Sequence, residues 1–181
     1  MSAAGAGPAG RRQVVLVGLP GAGKTTVGTL LARTCGLDFV DADDHLEARQ
    51  GRTIAEIFAA DGEPAFRALE ADTVVELLSR PGVIALGGGA VTNETVRRAL
   101  AGHEVAWLSQ SVQQGVQRIG DSTHRPLMTG DVAAVLRRLK AERDPLYREV
   151  ATIRIDTDHK HSGRVAAELA AALGWDEEAR A

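Results

Sequence analysis

Cysteine is almost absent from this chain, and lysine is scarce. Cys35 is the single cysteine among 181 residues, so no disulfide can form within the chain. It follows the apolar face of a predicted helix, and we expect it to be a small buried residue. Lys24, Lys140 and Lys160 are the three lysines, and all other cationic side chains are arginines. Arginine suits bidentate recognition of phosphate and carboxylate, although genomic base composition explains the bias equally well.

Aromatic residues and long apolar runs are also missing. Aromatic side chains make up 3% of the chain and the net charge is -3, which argues against a nucleic-acid-binding ATPase. No run approaches the ~20 apolar residues that cross a bilayer, and Met1–Gly10 lacks the apolar segment of a signal peptide. We therefore expect a cytoplasmic protein with neither a nucleic acid nor a membrane as partner.

Length and composition predict one domain with a substantial core, because 44% of the residues are hydrophobic. Residues 1–12 are rich in alanine and glycine and are expected to form a disordered tail. Residues 13–175 would form the domain, and residues 176–181 a frayed terminus.

The strongest motif is Gly18–Thr25, which fits G-x-x-x-x-G-K-[ST] at every fixed position. An apolar run, Val14–Val17, precedes it, and a helical pattern follows from Thr26 to Arg33. A strand, a glycine-rich turn and a helix form a phosphate cradle, because backbone N–H groups and the helix N-terminus both face the anion. Lys24 would reach the β- and γ-phosphates of ATP, and the Thr25 hydroxyl would bind Mg²⁺. The expected nucleotide contacts are Gly21, Ala22, Gly23, Lys24, Thr25 and Thr26.

Apolar runs alternate with helical patterns along the whole chain, which predicts an α/β fold of three layers around a mostly parallel five-stranded sheet. The expected strands are Gln13–Val17, Asp38–Asp41, Val83–Leu86, Glu104–Leu108 and Thr152–Ile155. Thr53 and Glu56 predict a capping box at the start of a helix, which Asp61–Pro64 should break. Residues 43–78 are too long for a simple crossover and suggest a helical insert that binds a second substrate. Residues 119–131 suggest a mobile lid carrying Arg125.

Two carboxylates, Asp41 and Asp43, follow the second predicted strand. Alternate side chains of an extended chain point to the same side, so both would face the cleft at the carboxyl edge of the sheet. One could organise Mg²⁺ and its waters while the other accepts a proton from an acceptor hydroxyl. Asp44 with Glu47 resembles a capping box, and we assign capping to Asp44. The five histidines have no spacing typical of a metal site.

A triple glycine, Gly87–Gly89, follows the third predicted strand at the same edge of the sheet. Glycines at such a place allow the backbone to approach a ligand closely, although an ordinary tight loop would have the same sequence. Arg67, Arg125 and Arg143 are each typical of a solvated surface. Together they suggest recognition of an anionic substrate and its phosphates.

These segments occur in an order that resembles the shikimate kinase family. The matching segments are Gly18–Thr25, Asp41–Asp43, Gly51–Ile54 with Ile57–Phe58, Gly62–Glu63 with Phe66–Arg67, Gly87–Ala90, Arg125–Leu127 and Arg143 with Pro145–Arg148. The resemblance covers Val14 to Ile155. It implies an adenylate-kinase-like P-loop fold and transfer of the ATP γ-phosphoryl group to the 3-hydroxyl of shikimate.

The resemblance also implies roles for individual residues. Asp43 would contact the ring hydroxyls and align or deprotonate the acceptor. The shikimate carboxylate would be clamped by Arg67 and Arg143 and approached by the N–H groups of Gly88 and Gly89. Arg125 would close over the ATP phosphates. Arg118 would pack on the adenine ring, and residues 157–161 would complete the adenine pocket. Of the two carboxylates considered above, we assign Asp41 to the Mg²⁺ site with Thr25.

Two alternatives stay open at this point. Another small-molecule kinase of the same fold, such as a gluconate kinase, would share the P-loop and the lid. It should not need the paired Arg67 and Arg143 with the glycine turn. A nucleotide-responsive regulator would bind ATP without transfer, but it has no need of an acceptor-side carboxylate such as Asp43. A monomer fits the chain length and the need for a free lid.

Overall fold

The fold is built on a parallel sheet whose central strand leads into the Gly18–Thr25 loop. The computed structural model describes residues 6–7, 11–120 and 131–175. Five parallel strands lie in the order β3-β4-β2-β5-β6, and β1 pairs with β2 in the antiparallel sense. The strands are β1 (Ala6–Gly7), β2 (Arg11–Val17), β3 (Phe39–Asp41), β4 (Gly82–Ala85), β5 (Val105–Ser109) and β6 (Ile153–Asp156). The predicted parallel five-stranded sheet is confirmed, with strand bounds that shift by one or two residues.

Helices cover both faces of this sheet. They are α1 (Lys24–Cys35), α2 (Ala42–Gln50), α3 (Ile54–Leu77), α4 (Glu94–Ala99), α5 (Val112–Gly120), α6 (Val132–Val150) and α7 (Ser162–Ala172). Alternate residues of β2 face opposite layers: Val14 and Leu16 pack with α1 and α7, whereas Val15 and Val17 pack with α3, α4 and α6. The central strand is therefore buried on both sides, as its continuous apolar run predicts.

The helical insert is formed by α2 and α3. Thr53 and Glu56 make the predicted capping box, and Gly62 has φ 82° and ψ 171°, which interrupts the helical backbone two residues before Pro64. The helix therefore bends where the sequence predicts a break. Leu46, Ile57 and Phe66 form a small apolar cluster of the insert's own. This cluster fixes the orientation of α3, which carries the arginine next to Phe66.

Two details differ from the sequence-based expectations: the extent of β2 and the burial of Cys35. Strand β2 begins at Arg11 and pairs with Ala6–Gly7, so part of the region expected to be a disordered tail forms sheet structure. Cys35 is half-buried rather than buried, and burial raises the pKa of its thiol. No helix in the described part of the chain is long and apolar enough to cross a bilayer.

Candidate active site

The Gly18–Thr25 loop connects β2 to α1 at the carboxyl edge of the sheet. Gly21 and Gly23 have φ values of 82° and 89°, which an L side chain rarely adopts. Gly18 has φ 151°, and a Cβ there would lie 2.5 Å from the Leu108 carbonyl oxygen. These positions therefore require glycine, and the resulting turn presents the N-terminus of α1 as an anion site.

Lys24 is the first residue of α1, and its side chain extends back over the loop. The Nζ atom donates hydrogen bonds to the carbonyl oxygens of Gly18 at 2.7 Å and Leu19 at 3.2 Å. The ammonium group consequently lies above the turn that would hold the phosphates. This placement matches the role that the motif predicts for Lys24.

Thr25 and Asp41 meet beside the loop. The Thr25 hydroxyl donates to Asp41 Oδ2 at 3.0 Å. Both groups are hard oxygen donors, and Mg²⁺ commonly uses one or two such protein ligands while keeping waters and phosphate oxygens. The pair therefore fits a magnesium site. No group of three or more His, Cys, Asp or Glu ligands occurs in the described ranges.

Asp41 has a second role, which corrects an expectation. It is the N-cap of α2, and its Oδ1 accepts from the Asp43 N–H at 3.0 Å. The capping role assigned to Asp44 is therefore wrong, and Glu47 instead accepts from the Ile54 N–H at 2.8 Å. The chain turns into a helix at Ala42, so the extended-chain argument for pairing Asp41 with Asp43 does not hold.

Asp43 nevertheless faces the predicted cleft. A Cβ placed on Gly87 would lie 2.9 Å from Asp43 Oδ1. The pKa of Asp43 is raised to about 6, mainly by burial and also by the charges of Asp41 and Glu70, while Lys24 opposes the rise. A carboxylate with a pKa near neutrality is well suited to take up a proton during catalysis.

The triple glycine brings the acceptor-side residues together. A Cβ on Gly88 would lie 3.4 Å from Arg143 Nη1, and a Cβ on Gly89 only 2.6 Å from Arg67 Nη2. Asp43, Arg67 and Arg143, from three different helices, thus contact successive residues of one turn. The prediction that these residues share a site agrees with this geometry.

Glu70 is also part of this site, although the sequence analysis did not identify it. It lies one helical turn after Arg67, is 3% exposed, and accepts from Arg67 Nη1 at 2.7 Å. Burial raises the pKa of Glu70, and the Arg67 hydrogen bond and charge oppose that rise. The buried ion pair fixes the guanidinium of Arg67 against the glycine turn. A glutamate three residues after Arg67, on the apolar stripe of the helix, was the signal that could have revealed it.

The expected adenine side lies at the end of β6. Arg118 donates to Thr157 Oγ1 at 2.9 Å and to the Thr157 carbonyl at 2.6 Å. The Asp158 carboxylate accepts from the Ser111 N–H at 2.9 Å, which ties this loop to the start of α5. Arg118 and residues 157–161 therefore lie together. Arg125 and most of the predicted lid fall outside the described residues.

The fold and the site define a class of protein. A P-loop after the central strand, a threonine–carboxylate pair for a metal, and an acidic group among arginines are the parts of a P-loop phosphotransferase for a small anionic molecule. The sequence model of shikimate kinase matches residues 20–174. The chain belongs to the shikimate kinase family, and it is an ATP-dependent kinase.

Individual relatives agree with this assignment. The chain is 52% identical over 155 residues to the shikimate kinase of Mycobacterium avium, covering 84% of this chain and 88% of the relative. It is 49% identical over 162 residues to that of Thermobifida fusca, covering 89% and 94%.

Solved structures extend the agreement to three dimensions. A shikimate kinase from Acinetobacter baumannii, solved in complex with shikimate, superposes with a TM-score of 0.82 at 40% identity, covering 90% of this chain and 93% of that one. A gluconokinase from Sinorhizobium meliloti reaches a TM-score of 0.59 at 19% identity, covering 92% and 93%, which shows a shared fold alone.

Proposed function

We propose that this enzyme transfers the γ-phosphoryl group of ATP to the 3-hydroxyl of shikimate, giving shikimate 3-phosphate and ADP on the route to chorismate and the aromatic amino acids. One observation carries the proposal. Asp43, Arg67 and Arg143 converge on the Gly87–Gly89 turn, which itself abuts the P-loop. The site thus offers one carboxylate and two guanidinium groups to an acceptor that carries hydroxyls and one carboxylate.

On the nucleotide side, the phosphates would lie in the Gly21–Thr26 turn. Lys24 would leave the carbonyls of Gly18 and Leu19 to contact the β- and γ-phosphates, and Arg118 would pack on adenine. Arg125 would cover the phosphates. Thr25 and Asp41 would hold Mg²⁺, which when bound neutralises charge on the phosphates.

On the acceptor side, Arg67 and Arg143 would bind the shikimate carboxylate through charge-assisted hydrogen bonds. The N–H groups of Gly88 and Gly89 would add neutral donors. Asp43 would accept a hydrogen bond from the 3-hydroxyl and take its proton. The new O–P bond forms as the bond between the γ-phosphorus and the β–γ bridging oxygen breaks, and ADP is the leaving group. The protein mainly positions the two substrates and neutralises developing charge.

The test is a coupled ADP-release assay with MgATP and separate acceptors: shikimate, gluconate, a nucleoside monophosphate, or none. We expect ADP release that depends on shikimate, with shikimate 3-phosphate detected by mass spectrometry. ADP release that depends on gluconate instead would support the alternative of a gluconate kinase of the same fold. ATP binding without ADP release with any acceptor would support the alternative of a nucleotide-responsive regulator.

A first prediction concerns the carboxylate clamp. Arg67→Ala should raise the KM for shikimate about 10²-fold, because it removes a charged hydrogen-bond donor and leaves Glu70 buried without its partner. The KM for ATP should change less than threefold (about 0.6 kcal/mol or below). Steady-state kinetics with each substrate varied in turn would check this.

The matched control is Arg52→Ala, in the same insert. Arg52 pairs with Asp61 on the exposed side, at 2.7 Å. Its loss should leave both KM values unchanged. An unaltered KM for shikimate in Arg67→Ala would contradict the clamp.

We further propose that the enzyme acts as a monomer in the cytoplasm. The side chains of Asp43, Arg67 and Arg143 converge on one glycine turn within a single copy of the chain, which supports a monomer. Light scattering behind a sizing column would test the oligomeric state.

A further inference from the structure

Tyr147 is a buried polar side chain to which the proposed reaction gives no role. It lies on α6, one helical turn after Arg143, and is 0% exposed. Its ring packs near Trp107, with centroids 6.0 Å apart. A buried phenol needs a hydrogen-bond partner, and the Tyr147 hydroxyl donates to the Gly88 carbonyl oxygen at 2.6 Å.

This hydrogen bond fixes the direction of the next N–H group. The described peptide bonds are all trans. In a trans peptide the C=O and N–H groups share a plane and point in opposite directions, so a bond at the Gly88 oxygen turns the Gly89 N–H away from Tyr147. In the described part of the chain neither the Gly88 nor the Gly89 N–H donates to a backbone or side-chain acceptor. Gly89 therefore presents a free donor, and the residue itself lies beside the Arg67 guanidinium.

The phenol also lies beside the other half of the clamp. Burial raises the pKa of Tyr147 well above its ordinary value, although the positive charge of Arg143 opposes the rise. The hydroxyl thus stays protonated at neutral pH and remains a donor. Tyr147 thus contacts the glycine turn and also borders the Arg143 guanidinium. The Nη1 atom of Arg143 lies 3.4 Å from the place that a Cβ on Gly88 would take.

The geometry points to Tyr147 as a positioning residue for the acceptor carboxylate, which aims the Gly89 N–H at it by holding the Gly88 carbonyl. A peptide whose carbonyl is already hydrogen-bonded is also a more polarised donor at its N–H. The inference rests on the proposed function, because it takes the carboxylate of shikimate as the ligand of this N–H.

The test is Tyr147→Phe, which keeps the ring and removes only the hydroxyl. We expect Kd and KM for shikimate to rise about tenfold, as one lost positioning hydrogen bond allows. The kcat and the KM for ATP should stay within about twofold. Calorimetric titration with shikimate in the absence of nucleotide would give Kd directly.

The matched control is Thr73→Val, which removes another buried hydroxyl. Thr73 is 4% exposed and donates to the Leu69 carbonyl within α3, at 2.8 Å. It should lower the melting temperature as much as Tyr147→Phe does and leave the shikimate Kd unchanged. Equal shikimate Kd values in wild type and Tyr147→Phe would overturn the inference.

A second measurement does not depend on the stability of the variant. In ¹⁵N-labelled wild-type enzyme, the Gly89 amide proton should shift downfield when shikimate is added. It should not shift when the added compound is the analogue with a hydroxymethyl group in place of the carboxylate. No shift with shikimate would overturn the inference even if Tyr147→Phe fails to fold. Failure of the wild-type enzyme to phosphorylate shikimate would instead refute the proposed function.

Discussion

Lys24→Ala should lower kcat about a thousandfold. The Nζ atom lies above the loop that would hold the phosphates, bonded to the Gly18 and Leu19 carbonyls. In the transition state it would neutralise charge on the transferring group, an effect that electrostatic preorganisation makes large. ADP release at saturating MgATP and shikimate would measure it, with nucleotide affinity followed by calorimetry.

Two variants make this result interpretable. Arg33→Ala removes a positive charge from the exposed last turn of the same helix and should leave kcat unchanged. Lys24→Arg keeps the charge but replaces a compact ammonium with a planar fork, so it should restore only part of the activity. A kcat within tenfold of wild type for Lys24→Ala would defeat the assignment.

Asp43→Asn should abolish most turnover while making the protein more stable. An amide cannot take the proton of the acceptor hydroxyl, and general-base catalysis contributes about 10²- to 10⁴-fold. In the wild type, kcat/KM for shikimate should fall as the pH drops below about 6, because burial raises the pKa of Asp43 to that value. The pH profile and the variant's kcat together would check the base.

The stability effect follows from the same pKa. The folded-state pKa of Asp43 is raised from 3.8 to about 6, so the ionised carboxylate destabilises the fold at pH values above 6. That cost is relieved as the pH falls from about 6 towards 4, because the folded state then binds the proton first. Asp43→Asn should therefore raise the free energy of unfolding by about 1–3 kcal/mol at pH 8 and by much less at pH 4.

Denaturant titrations at the two pH values would measure the gain, with Asp72→Asn as the control. Asp72 is exposed on α3, so its replacement should leave the stability nearly unchanged at both pH values. A destabilised Asp43→Asn protein at pH 8 would contradict the burial argument.

Much of the fold was predictable because the signals are local. The apolar Val14–Val17 run, the Gly18–Thr25 motif and the Thr53–Glu56 capping box each depend on a few neighbouring residues. The bend at Gly62 before Pro64 follows from backbone conformation alone. The order of strands in the sheet, β3-β4-β2-β5-β6, depends on contacts between distant segments, so the local patterns did not predict it.

The supporting residues of the site were harder to predict from the sequence. Glu70 and Tyr147 are significant only because each bonds a group that belongs to another part of the site, Arg67 or the Gly88 carbonyl. The spacing of Asp44 and Glu47 predicts capping at Asp44, whereas Asp41 caps α2. The choice between them depends on where the backbone leaves the extended conformation, which the sequence does not specify.

The two glycine-rich turns touch each other, and this limits how the enzyme can evolve. A Cβ on Gly88 would lie 3.1 Å from Pro20 Cδ and 3.3 Å from the Gly18 carbonyl oxygen. The turn that would receive the acceptor thus packs directly on the turn that would receive the nucleotide, against the Pro20 ring and the Gly18 carbonyl. A mutation that enlarges the acceptor turn to admit a new substrate would displace the phosphate loop as well. New acceptor specificities should therefore arise more readily through the α2–α3 insert, which can change without disturbing the use of ATP.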